Sequence, residues 1–166
     1  MRKLLVILFV FSMVWGCKKA QGPVTDTAAV DELEFSYQKM PNKAPINPEA
    51  TAIIEEWEEF KAFNTSIDVL YKAINNEDLA LAIDDLIEKE KNLEGGNYPE
   101  LFNTFQIKSR QRVVRTYLYK VKASVLENQP TTEPTVQMLE AYNAMRKQFN
   151  VIVNSQLDKN LILNEE

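Results

Sequence analysis

Four charged residues fall where the sequence calls for apolar side chains. Arg110 lies three residues after Ile107, three before Val113 and four before Val114, and Arg146 lies four after Tyr142 and three before Phe149. Glu56 stands between Ile53 and Phe60, and Glu90 between Leu86 and Leu93. At helical periodicity these positions share the faces of their apolar neighbours. An isolated buried charge is too costly to tolerate, so each must be paired or reach water. Two glutamates and two arginines can form a partly buried carboxylate–guanidinium network that fixes helix register. Alternatively, Arg110 and Arg146 line a cleft for a carboxylate or phosphate, anions that a guanidinium fork binds in bidentate fashion. Asn64, Asn143 and Asn150 occupy inward or boundary positions and are expected as further members.

Most other chemistry lacks its residues. The chain has no histidine and one cysteine, Cys17, which excludes the usual Ser-His-Asp and Cys-His sites, imidazole or multi-thiolate zinc sites and Glu-x-x-His di-iron bundles. No phosphate-binding glycine motif occurs. The acid clusters Glu55-Glu56 with Glu58-Glu59, and Asp84-Asp85 with Glu88, are read as solvated faces, since no aromatic-rich groove accompanies them for glycoside chemistry. No metal, no cofactor and no enzymatic activity is expected.

Long helices must position these residues. Asn47-Pro48-Glu49 is a capping residue, a proline and an acid, the signature of a helix start. Ile53, Trp57, Phe60, Asn64, Ile67, Tyr71 and Ile74 then recur every three or four residues, with a possible interruption near 63–66. After Asn75-Asn76, Leu79, Ile83, Leu86, Ile87 and Leu93 mark a second helix, stopped by Gly95-Gly96. A third is expected from Tyr98-Pro99-Glu100 to the break at 128–131, and a fourth from Thr132 onward. Short connections favour antiparallel neighbours, so the fold expected is all-α, an antiparallel up-and-down bundle of about four long helices. At 1.5 Å per residue, the four misplaced charges then lie about 6 to 21 Å from one end of the bundle, within one half of it.

Charge is divided unevenly. Residues 48–75 carry a net −4, residues 76–94 a net −5, and residues 99–128 a net +4. Lys108, Arg112, Arg115 and Lys122 cluster opposite the apolar stripe expected for the third helix. They are read as a solvated face packed beside acidic neighbours, the alternative being a docking stripe for an acidic partner or lipid headgroups. Overall the chain carries 19 basic against 24 acidic residues, which argues against a nucleic-acid binder.

The N-terminus carries an address. Met1-Arg2-Lys3 precedes the apolar run Leu4 to Trp15, too short to span a bilayer and of the right length for an export signal. Val14-Trp15-Gly16-Cys17 resembles the lipobox of bacterial lipoproteins. That resemblance implies cleavage after Gly16, a diacylglyceryl group on the Cys17 sulfur and acylation of the new amino terminus, palmitate being a usual chain. The alternative is a secreted chain cut nearby with a free thiol. Two or more acyl chains hold a protein on a membrane far better than one. Lys18 follows the cysteine where Asp would favour the inner membrane, so the outer membrane is favoured.

The expected organisation is a signal peptide over 1–16, a lipidated and mostly flexible tether over 17–47 with Pro23, Pro41 and Pro45, and a bundle over 48–166. In layout the chain resembles small uncharacterised helical lipoproteins of the cell envelope in Bacteroidota, including flavobacteria. EEWEEF, IKSRQRV and FNVIV share their style. The resemblance implies a periplasm-facing module held by its lipid, with an envelope protein as partner, and carries no active site with it.

Overall fold

Three consecutive apolar steps of three residues, Ile54 to Trp57 to Phe60 to Phe63, cannot stay on one face of an unbroken helix, because each lags the 3.6-residue turn by about 60°. The chain absorbs the lag by breaking. In the computed structural model, which describes Phe35 and residues 40–163 (side chains through 156), helix α1 covers Pro48–Glu55 and α2 Glu58–Leu70. Between them Trp57 adopts an extended backbone. The break therefore lies at Glu56-Trp57 and not near 63–66, and it leaves Ile54, Trp57, Phe60 and Phe63 all buried.

Three further long helices follow: α3, Asn76–Gly95; α4, Phe105–Leu126; and α5, Thr132–Leu163. Their ends follow from local chemistry. The Asn47 side chain accepts from the Ala50 amide at 2.9 Å to start α1, and Asn75 accepts from the Asp78 amide at 2.8 Å to start α3. The third helix begins later than Tyr98-Pro99-Glu100 suggests. Those residues lead into a single 3₁₀ turn, Glu100–Phe102, which buries Phe102, and Thr104 then caps α4. At the other end of α4, Asn128 takes φ 51°. Its amide bonds to the Val125 carbonyl and that of Gln129 to the Ser124 carbonyl, the paired closure of a left-handed helix stop. Gly96 by contrast has φ −84° and ψ −175°. A methyl group there would come within 2.5 Å of Glu59 Oε1, so the Glu59 side chain would have to turn aside.

Paired residue numbers rise on one helix as they fall on the other. Asp84 pairs with Lys122 and Glu94 with Arg115 across α3 and α4, and Phe60 meets Phe149 while Phe63 meets Tyr142 across α2 and α5. The described residues thus form an all-α bundle in which these helix pairs run antiparallel. One end is filled by aromatic rings. Trp57 lies 5.4 Å from Phe60, 5.0 Å from Tyr98 and 6.2 Å from Phe149, and Phe102 lies 4.7 Å from Phe149. Burial of each such side chain stabilises the fold by roughly 1.5–3 kcal/mol.

The folded body starts before residue 48. Phe35 and Ala44 are buried, and Met40 and Ile46 pack against the core. Pro41–Asn47 has no helix of its own and lies as a strap along α5. The tether expected over 17–47 is corrected accordingly: its last segment belongs to the bundle. The signal and the lipobox with Cys17 lie outside the described residues.

Candidate functional site

The four misplaced charges do not meet. Glu56 is exposed because the helix break at Trp57 turns it away from the Ile53–Phe60 face. Arg110 is also exposed. The buried stripe of α4 is Ile107, Gln111, Val114, Leu118 and Val121, while Val113, used to place Arg110 inward, is 42% exposed. Glu90 and Arg146 are inward, but each anchors a separate cluster on its own pair of elements. A single network of Arg110, Arg146, Glu56 and Glu90 is therefore corrected, and with it the cleft shared by the two arginines.

Glu90, on α3, is 2% exposed. Its two oxygens receive Arg115 Nε at 2.7 Å and Nη2 at 2.9 Å, and Gln111 Nε2 donates to Oε1 at 2.9 Å. Arg115 Nη2 also reaches Glu94 Oε1 at 2.7 Å, and the Tyr98 hydroxyl donates to Gln111 Oε1. The buried carboxylate thus has charge-assisted donors on both oxygens, which meets the requirement for burying it. Hydrogen bonds that Arg115 donates to Glu90, and next to Glu94, raise the Arg115 pKa, and the Arg115–Glu94 bond lowers that of Glu94. Burial raises the Tyr98 pKa.

Arg115 and Gln111 were not among the inward residues expected from sequence. Both follow from Ile107 by helical steps once Gln111 is admitted to the stripe, and Glu90 needed a donor opposite it. Lys122 bonds Asp84 at 2.7 Å, so part of the basic face of α4 does pair with acidic α3.

The second cluster holds the strap. Arg146 Nε donates to the Ala44 carbonyl at 2.6 Å, and Nη1 to Asn64 Oδ1 at 3.0 Å and the Tyr142 hydroxyl at 3.1 Å. Tyr142 OH donates to Asn64 Oδ1 at 2.5 Å. Burial pushes the Tyr142 pKa up to about 12. On either side of Arg146, two asparagines each grip the strap's main chain twice. Asn143 accepts from the Ala44 amide at 2.7 Å and donates to the Asn42 carbonyl at 2.9 Å. Asn150 accepts from the Asn47 amide at 2.9 Å and donates to the Pro45 carbonyl at 3.1 Å. The seven-residue step from Asn143 to Asn150 advances about 10.5 Å along α5, and the three-residue step from Ala44 to Asn47 in the extended strap about 10 Å, so the two repeats match. Tyr71 and the Lys43–Asp68 ion pair, 2.6 Å, tie the strap to α2 as well.

Asn64, Asn143 and Asn150 are therefore inward-acting polar residues as expected, used to hold chain rather than substrate. Among the described residues no group of His, Cys, Asp and Glu is placed to hold a metal ion, and no helix is long and apolar enough to cross a membrane. Between α2 and α3 an open groove of about 380 Å³ is lined by Val69, Ala73, Leu81 and Ala82, with Val69 and Leu81 51% and 73% exposed. No family model matches the chain, and no curated protein or solved structure matches it either.

Proposed function

We propose that the chain is a lipid-anchored module of the cell envelope, attached through an acylated Cys17, facing the periplasm and favouring the outer membrane. It acts by holding an envelope protein partner and not by catalysis. The strap is the observation that carries this reading. Were the chain free from Cys17 to Pro48, the bundle could stand as far as roughly 105 Å from its lipid, at 3.3–3.6 Å per residue. Fastening the chain at Phe35 and along α5 cuts that limit to roughly 60 Å. A bounded standoff suits a module that must present one face to a neighbour in the same membrane. Arg146, Asn143 and Asn150 support the reading further, because their polar groups serve this attachment.

The test is photo-crosslinking in intact membranes, with the crosslinking residue placed in turn at Val69, Leu81, Phe105 and Val151, all exposed apolar positions. One protein recovered reproducibly from one face, and lost when Cys17→Ser releases the chain, is the expected result. No adduct at any position, or adducts indifferent to Cys17, would contradict it.

A further inference from the structure

We propose that the pocket between the end of α3 and the first turns of α4 binds a phosphate group. The pocket, about 190 Å³, is lined by Glu94, Tyr98, Lys108, Gln111, Arg112 and Arg115. Lys108, Arg112 and Arg115 follow one another at four and three residues, so a single edge of α4 delivers three cations to one space. The site is built from behind. Gln111, 2% exposed, is part of its lining, and Glu90, also 2% exposed, holds both Gln111 and the Arg115 fork, the latter through Nε and Nη2. Arg115 Nη1 makes no hydrogen bond among the described residues.

The charge balance selects the ligand. Glu90 and Glu94 both bind Arg115. Lys108 stands 4.9 Å from the centroid of the Tyr98 ring, and neither it nor Arg112 has a carboxylate within ion-pairing distance among the described residues. The three cations and two carboxylates leave one net positive charge, rising to two when Glu94 swings out, and the N–H donors on Lys108, Arg112 and Arg115 suit the three oxygens of a phosphate better than the two of a monocarboxylate. The volume is below the roughly 300–1,000 Å³ of drug-sized sites, leaving room for a phosphate with a short substituent. Glu94 is the resident competitor. It takes one Arg115 N–H, and its side chain is 50% exposed, free to swing out when an anion enters. The ligand is a phosphomonoester, either a soluble one or the headgroup of a lipid such as a phosphatidate, and the site does not depend on partner docking.

Calorimetric titration of the full-length chain in detergent, at constant ionic strength, tests this with inorganic phosphate, glycerol phosphate, dihexanoyl phosphatidate and acetate. Saturable one-to-one binding is expected, with phosphate preferred over acetate by about tenfold or more. Lys108→Ala with Arg112→Ala should weaken binding by at least about tenfold. Arg110→Ala with Lys120→Ala, which removes equal charge from the same helix outside the pocket, should leave it unchanged. Glu94→Gln should strengthen it about threefold by removing a negative charge from the pocket and weakening the hold on the Arg115 N–H. Phosphatidate binding well above glycerol phosphate assigns the lipid source, and equal binding the soluble one. Circular dichroism confirms folding, and phosphorus NMR line broadening on the unmutated chain reads binding without any variant. Absence of saturable binding by all three phosphates, or equal loss in the Arg110/Lys120 control, would overturn the proposal.

Discussion

Asn143→Ala with Asn150→Ala should release the strap while leaving the bundle folded. Each asparagine makes one part-buried bond from a strap amide and one exposed bond to a strap carbonyl. At about 1 kcal/mol net for a part-buried bond and less for an exposed one, each residue contributes about 1–1.5 kcal/mol, and the pair about 2–3 kcal/mol. Arg146, Tyr71 and Lys43 still hold the segment, so the loss falls on local opening and not on global unfolding. Residue-resolved hydrogen exchange reads it directly. In the unmutated chain the Ala44 and Asn47 amides should exchange slowly, whereas those of Lys43 and Ile46, with no partner among the described residues, should exchange fast. The double variant should accelerate Ala44 and Asn47 by about 30- to 150-fold, with little change in the centres of α3 and α4. Fast exchange at Ala44 and Asn47 before mutation, or no acceleration after it, would refute the docked strap.

Glu90→Ala should be the most damaging of the four charge removals. It leaves the buried Gln111 amide with only a 3.5 Å contact to the main-chain carbonyl of residue 90, and half of the Arg115 fork without a partner. Because Arg115 is 28% exposed and keeps Glu94, the cost falls near the lower end for a broken buried pair, about 3 kcal/mol, or roughly 10 °C in Tm for a domain of this size. Glu56→Ala and Arg110→Ala, both at exposed positions, should each stay within about 0.5 kcal/mol by urea denaturation. High pH should weaken the fold. The Tyr142 phenol ionises near 10 when unfolded and near 12 when buried, so its contribution is fully present below pH 10 and is lost as pH rises through 10 to 12. That loss is on the order of 2–3 kcal/mol, read as a falling urea midpoint that Tyr142→Phe flattens in part. Tyr71 and Tyr98, also raised by burial, keep a residual slope in that variant.

Helices and their capped starts were readable because the signals are local: Asn47-Pro48, Asn75 and the Asn128–Thr131 break all act within one turn. The α1–α2 break carries no proline or glycine to mark it, and its only signal is the run of three-residue apolar steps. In the sequence Val113 points to an inward Arg110, but it is an exposed valine on the flank of a stripe whose true member is Gln111. One polar residue inside and one apolar residue outside were enough to rotate the face and to exchange Arg110 for Arg115 as the partner of Glu90. The strap was hidden for a different reason. An extended segment gripped through its main chain needs no side-chain pattern of its own, so its signal lies about 100 residues away, in the spacing of Asn143, Arg146 and Asn150 along one edge of α5.

The envelope role depends on Cys17. Mass spectrometry of the N-terminal peptide from chain recovered in a membrane fraction tests it most directly. A peptide that begins at Cys17 and carries a diacylglyceryl group and an amide-linked acyl chain is the predicted result. An unmodified Cys17 still preceded by Gly16 would contradict the anchor, and with it the function proposed for the strap.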